Sequence, residues 1–102
     1  MVIKWTPLAK EQLKNFTKIS KAEPHNLKKY ITALVAYSDR LLDNNELGKA
    51  MFKLNDVIFR QLLYKKHRII YYIRENEIQI VSVIHTSQNL EKAIAILEKY
   101  YR

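Results

Sequence analysis

The sequence contains no cysteine, one glycine and two prolines in 102 residues. Without cysteine there can be no disulfide framework, thiolate zinc site or thiol nucleophile, which suits a reducing compartment. So little glycine and proline leaves no material for a long flexible linker or a disordered tail. A single domain over residues 1–102 is therefore expected, with 48% apolar residues supplying one small core. No apolar run approaches the roughly 18–20 residues needed to span a bilayer. The opening Met1-Val2-Ile3-Lys4-Trp5 is too short and too mixed for a signal peptide, so a cytoplasmic location without membrane attachment is the expectation. His25, His67 and His85 lack any spacing of metal ligands, and no glycine-rich phosphate loop, paired-carboxylate site or Ser-His-Asp arrangement stands out. No metal and no cofactor is expected.

Acidic residues are also scarce. Ten Asp and Glu stand against eighteen Lys and Arg, giving a net charge of +8 and a pI near 9.7. Such a balance favours nucleic acid, an anionic surface or an acidic partner protein. The excess is concentrated between residues 49 and 74, where Lys49, Lys53, Arg60, Lys65, Lys66, Arg68 and Arg74 face one acid, Asp56, for a local balance of +6 (seven minus one). The same stretch is rich in Val, Ile, Leu, Phe and Tyr, so its cations should be mounted on sheet, a rigid support suited to a polyanion.

The hydrophobic period divides the chain. Val2 to Trp5 is a short strand candidate, and Thr6-Pro7 opens a helix because Thr can cap and Pro fits the first helical position. Ala9, Leu13, Phe16 and Ser20 form its stripe. A second helix begins near Glu23-Pro24, with Leu27, Tyr30, Ile31, Leu34, Val35, Ser38, Leu41 and Leu42 at a period near 3.6, and Asp43-Asn44-Asn45 ends it. The short break between them suggests an antiparallel helical hairpin. After Gly48 the period becomes two. Strands are expected over Val57 to Tyr64, His67 to Arg74 and Glu77 to His85, the last two joined at Glu75-Asn76. A final helix, from about Gln88 to Tyr101, is capped by Ser87 or Asn89. The order is βααβββα: an α+β fold.

A two-residue turn at Glu75-Asn76 fixes a register in which Arg74 faces Glu77, Arg68 faces Val83 and Lys66 faces His85. Lys66, Arg68 and His85 then share one sheet face, while His67, Ile69, Tyr71, Ile73, Ile78, Ile80, Ser82 and Ile84 share the core face. In that arrangement Arg68 could hold a phosphate and His85 could transfer a proton, a set sufficient for metal-free RNA cleavage through the 2′-hydroxyl. Equally, Arg68 could pair with a carboxylate and His85 could be a hydrogen-bonded structural residue. His67 falls on the apolar face and reads as a satisfied, partly buried histidine. The phase of Arg60 stays open, because the turn after Tyr64 does not fix it.

The run Phe59-Arg60-Gln61-Leu62-Leu63-Tyr64, then His67-Arg68-Ile69-Ile70-Tyr71, then Ile78 to Ile84 closed by His85, resembles the RelE/ParE superfamily of bacterial toxins, the toxin halves of type II toxin–antitoxin modules. The resemblance covers essentially the whole chain. It implies a helical hairpin and C-terminal helix packed on a small, twisted, mainly antiparallel sheet, and a cognate antitoxin that wraps the toxin. It implies one of two activities: ribosome-dependent mRNA cleavage, or inhibition of DNA gyrase without chemistry. In the RelE-like branch the arginine matching Arg68 is important for cleavage, and Arg68 and His85 are the catalytic candidates. Lys49, Lys53, Arg60, Lys65, Lys66 and Arg74 are the candidates for binding nucleic acid or another target. One departure matters: many relatives carry an arginine shortly after the histidine that closes the last strand, and here Gln88 stands near that place. The strand wording also looks closer to the ParE-like branch. A basic, non-toxic binding or regulatory module of the same fold is the alternative.

Overall fold

A computed structural model describes residues 1–19 and 24–101, with side chains given for 1–16 and 26–101. The elements in order are β1 (Val2–Trp5), α1 (Pro7–Ile19), α2 (Pro24–Ser38), a 3-10 turn (Asp39–Leu42), β2 (Lys49–Leu54), β3 (Val57–Tyr64), β4 (His67–Arg74), β5 (Glu77–His85) and α3 (Leu90–Tyr101). The expected break between the first two helices, with Ser20 and Glu23, lies outside the described residues. The sheet has five strands in the order β1-β5-β4-β3-β2, parallel only between β1 and β5. The strand absent from the sequence reading is β2. Its Lys49-Ala50-Met51-Phe52-Lys53-Leu54 does not alternate cleanly, because the register shifts between Ala50 and Phe52.

Local chemistry explains the boundaries. Thr6 accepts the Ala9 N–H on its Oγ1 at 3.3 Å and caps α1, as its hydroxyl predicts. Asn89 accepts the Lys92 N–H at 3.1 Å and caps α3, which settles the choice between Ser87 and Asn89. The regular part of α2 stops at Ser38, short of the expected end. The Ser38 hydroxyl donates to the Val35 carbonyl at 2.6 Å, and a 3-10 turn then carries Leu41 into full burial. Asn55-Asp56 and Glu75-Asn76 both turn with positive φ at each residue (51° and 64°; 51° and 66°), the type I′ geometry whose twist matches a tight hairpin.

Both sheet faces are covered. Ala9, Leu13 and Phe16 of α1, with Tyr30, Leu34 and Tyr37 of α2 and Leu41 beyond it, pack against Leu62, Ile69, Tyr71, Ile78, Ile80 and Val83. On the other face Leu90, Ala93, Leu97 and Tyr101 of α3 pack against Phe59, Ile70, Val81 and Ile84. Apolar burial at roughly 25 cal/mol per Å² is the main driving term for each layer.

The expected register is kept from Arg74↔Glu77 to Tyr71↔Ile80, then corrected by a bulge. Ile70 pairs with Ser82, so Val81 is the extra residue, and Ile69↔Val83, Arg68↔Ile84 and His67↔His85 follow one position out of step. Thus Arg68 does not face Val83, Lys66 does not face His85, and Ile84 leaves the hairpin face for the α3 face. Beyond Trp5, β1 no longer lines this edge of β5. The Gln12 side chain of α1 stands in for it, its Oε1 accepting the Val83 N–H at 2.7 Å and the Ser82 hydroxyl at 3.1 Å.

The sole glycine sits at the tightest point. The Gly48 N–H donates to the Tyr71 hydroxyl at 2.8 Å, that hydroxyl donates to the Asn45 carbonyl at 2.9 Å, and Arg60 Nη1 donates to the Gly48 carbonyl at 3.0 Å. A Cβ at position 48 would lie 2.6 Å from Tyr71 Cε1 and 2.8 Å from the Gln61 carbonyl oxygen. Tyr71 is fully buried and has nowhere to move. Gly48→Ala should therefore lower stability by about 2–3 kcal/mol through overpacking and lost hydrogen bonds. Urea unfolding followed by circular dichroism would measure it, and a loss below about 0.5 kcal/mol would contradict this account.

Candidate functional site

The bulge divides the sequence-predicted site between the two faces of the sheet. Directly paired strand residues share a face and successive residues alternate. His85 lies with His67 on the hairpin face, whereas Arg68 lies with Ile84 and Ile70 on the α3 face. The proposed phosphate clamp and proton-transfer group are therefore separated by the sheet.

On the α3 face, Arg68 Nη1 donates to Gln61 Oε1 at 2.6 Å, and its Nε is buried with no hydrogen-bond partner among the described residues. Lys49 is directly opposite Gln61, and Leu63, directly opposite Arg68, is 53% exposed. Lys49, Gln61, Leu63 and Arg68 form a cationic, partly apolar patch at the end of the sheet. Gln61 and Leu63 were not singled out from the sequence. The signal was weak: one amide and one exposed leucine in a largely apolar strand.

The hairpin side gathers the other cations. The β3–β4 turn puts Lys65 and Lys66 beside the end of β5, where the Thr86 N–H donates to the Lys66 carbonyl at 2.8 Å. Lys65 adopts a positive φ of 51°, and its ammonium lies over the rings of Tyr64 and Tyr30 at 5.5 and 5.8 Å. His67 Nδ1 and the Tyr30 hydroxyl are 2.6 Å apart, the His67 and Phe16 ring centroids 4.4 Å, and the His67 and His85 centroids 5.2 Å, edge to face. His85 Nδ1 accepts the Ser87 N–H at 3.0 Å, and the His85 N–H donates to Gln88 Oε1 at 2.9 Å. Phe16, Tyr30, Lys65, Lys66, His67 and His85 line a cleft of about 900 Å³ between the hairpin and the end of the sheet.

Burial, then the neighbouring His85, hold the His67 imidazole below its ordinary value. Burial, then Tyr64, push the Tyr30 phenol above its ordinary value. A neutral His67 accepting a hydrogen bond from a neutral Tyr30 is the consistent assignment, and the expectation of a satisfied, partly buried His67 agrees with it.

The other candidates disperse. Arg60 is on the hairpin face, donating to Gly48 and lying 3.9 Å from Glu46, with only 19% of its side chain exposed. Lys53 is on the edge strand, 3.9 Å from Asp56. Arg74 is at the opposite end of the sheet, beside Leu54, Tyr72 and Tyr101. No group of three potential metal-ligating side chains and no helix long and apolar enough to cross a membrane occurs among the described residues.

A mainly antiparallel sheet backed by a helical hairpin on one face and a C-terminal helix on the other is the α+β architecture of the RelE/ParE class. Residues 3–90 match the family model described as ParE toxin of type II toxin-antitoxin system, parDE. The chain belongs to this family of toxins, and its coarse role is that of a toxin paired with a cognate antitoxin. Among solved structures it is similar to a chain of the chromosomal ParDE TA system from P. aeruginosa, with a TM-score of 0.62 and 19% identity over 83% of this chain and 95% of that one. It is also similar to a chain of the YoeB dimer from Staphylococcus aureus, with a TM-score of 0.49 and 25% identity over 80% and 92%. No curated protein sequence matches the chain.

The low basicity of His67 has a signed consequence. The unfolded chain takes up a proton near the ordinary pKa of 6.5, and the folded chain only at lower pH. The contribution of His67 to stability is complete above the unfolded value and is lost as pH falls through the folded one. Between about pH 7.5 and pH 5, wild type should lose more stability than His67→Gln. Urea titrations across that range test it, and equal slopes for the two proteins would refute it.

Proposed function

We propose that this toxin arrests growth by binding DNA gyrase and not by cutting RNA. The observation that carries the reading is the placement of Arg68 and His85 on opposite faces of the sheet. Metal-free cleavage needs a charge on the scissile phosphate and a proton-transfer group at the same phosphate, each within hydrogen-bond reach. Here Arg68 is engaged by Gln61 on one face, while His85 is engaged by Ser87 and packed against His67 on the other. Membership of the ParE family supports the same choice, since the ParE-like branch is the gyrase-directed one. The patch of Lys49, Leu63 and Arg68 then serves as a docking surface, cationic at its edges with an apolar side chain between them.

A second reading, ribosome-dependent mRNA cleavage, draws on one specific observation: Lys65, Lys66, His67 and His85 meet at the hairpin end of the sheet. Two assays separate the readings. With purified gyrase and plasmid DNA, the protein should inhibit supercoiling or trap double-strand breaks. In a purified translation reaction the message should stay intact with or without ribosomes. Ribosome-dependent cleavage together with unaffected gyrase would overturn the proposal. Harmless overexpression without antitoxin, with no effect in either assay, would point to a non-toxic binding module.

The antitoxin is read as a net-acidic segment that lays apolar side chains beside α3 and the sheet and sets a carboxylate at Arg68. Leu63, Ile96 and Tyr100 are exposed for the first contact, and the half-buried Arg68 guanidinium supplies the cation for the second. Neutralising Arg68 and Arg74 together as Arg68→Gln and Arg74→Gln should weaken the complex by at least about tenfold. Calorimetry on the pair of proteins measures this, and undiminished affinity would remove the electrostatic part of the reading.

A further inference from the structure

The cleft at the hairpin end has a composition that neither a gyrase-docking surface nor an antitoxin groove on the α3 face requires. Its walls are aromatic: Phe16, Tyr30, His67 and His85 meet there. Its rim is cationic, with Lys65 and Lys66, and its described lining includes no aspartate or glutamate. At about 900 Å³ it is within the range, roughly 300–1,000 Å³, typical of small-molecule sites. Two hydrogen-bond donors remain uncommitted. His85 Nδ1 accepts the Ser87 N–H and His67 Nδ1 is taken by the Tyr30 hydroxyl, so each ring presents an Nε2 that has no partner among the described residues. The Lys65 backbone is held at a positive φ that costs a lysine about 1–2 kcal/mol, and this conformation places its ammonium over the Tyr30 and Tyr64 rings at the cleft mouth.

We propose that this cleft binds a nucleoside phosphate, with the base against the Phe16 and Tyr30 rings and the phosphate at Lys65, Lys66 and the two imidazole N–H groups. Each part of that ligand meets a matching part of the cleft. A planar base stacks on aromatic faces without needing a defined hydrogen-bond pattern. A phosphate draws on two ammonium groups and two imidazole N–H donors, with no aspartate or glutamate in the described lining. A simple inorganic anion would leave the aromatic walls without a role, and a lipid chain would leave the cationic rim without one. The inference is independent of the gyrase reading, because its ligand, its face of the sheet and its readout are different.

The test is calorimetric titration of the purified 102-residue chain at low ionic strength with uridine and adenosine 5′-monophosphates, the two parent nucleosides and inorganic phosphate. The nucleotides should bind at least about tenfold more tightly than either the nucleosides or phosphate. The double variant Lys65→Gln, Lys66→Gln should lose that advantage, while Lys92→Gln on α3 keeps it. Imidazole resonances of His67 and His85, followed by NMR in the wild-type protein, should shift with nucleotide, a readout independent of whether the double variant folds. Phosphate binding as tightly as nucleotide, affinity unchanged in a folded double variant, or unmoved histidine resonances would each overturn the proposal. Displacement of bound nucleotide by an acidic peptide at lower concentration than by nucleotide itself would also overturn it, assigning the cleft to a protein partner.

Discussion

The single extra residue at Val81 decides which face of the sheet His85 takes, and so whether it can meet Arg68. A strand has a side-chain period of two, so one inserted residue exchanges the two faces for everything that follows it. Before the bulge, β5 sends Ile78 and Ile80 to the helical hairpin; after it, Val83 and His85 go there instead, and Ile84 joins α3. The cost of a bulge is unpaired backbone. Where β1 ends, Gln12 takes over its edge at Val83 with an amide oxygen from the neighbouring helix, so that α1 helps hold the strand that carries His85.

The two functional regions stand on opposite faces because of this exchange. On the α3 side, Arg68 is beside Gln61 and the exposed Leu63 at the end of the sheet. On the hairpin side, His85 is brought edge to face with His67, next to the two lysines of the β3–β4 turn. The first region is a surface with a partly satisfied guanidinium, which suits docking. The second is a recess with aromatic walls and a cationic rim, which suits a small anion carrying a ring. A single sheet thus offers chemically distinct faces because both layers packed on it leave one end uncovered.

The basic belt between residues 49 and 74 illustrates how charge in a sequence differs from charge at a site. Arg60 braces the Gly48 loop against Tyr71, Lys53 is beside Asp56, and Arg74 is at the far end of the sheet. What remains for recognition is Lys49 with Arg68 on one face and Lys65 with Lys66 at the other. The long-range field of a net +8 protein attracts polyanions regardless of these details, but the specific contacts are decided by face and by end.

The sequence alone determined the element types, because a period near 3.6 in the helices and near two in β3, β4 and β5 records which residues must be buried. It determined the cap at Thr6 and the tight turn at Glu75-Asn76, both set by neighbouring residues. It also carried the family resemblance, which rests on strand wording that stays adjacent in the chain. Only the tertiary structure decided that Lys49 to Leu54 is a strand, since an edge strand with a shifted register lacks clean alternation. Only the tertiary structure separated Arg68 from His85, joined His67 to Tyr30, and set Gln61 against Arg68. The first depends on a bulge, which no local signal between Ile80 and Ser82 announces; the others depend on side chains of separate elements meeting in space. Two helical layers from distant parts of the chain pack on opposite faces of the bulged strand, and Gln12 of one of them bonds its Val83 N–H.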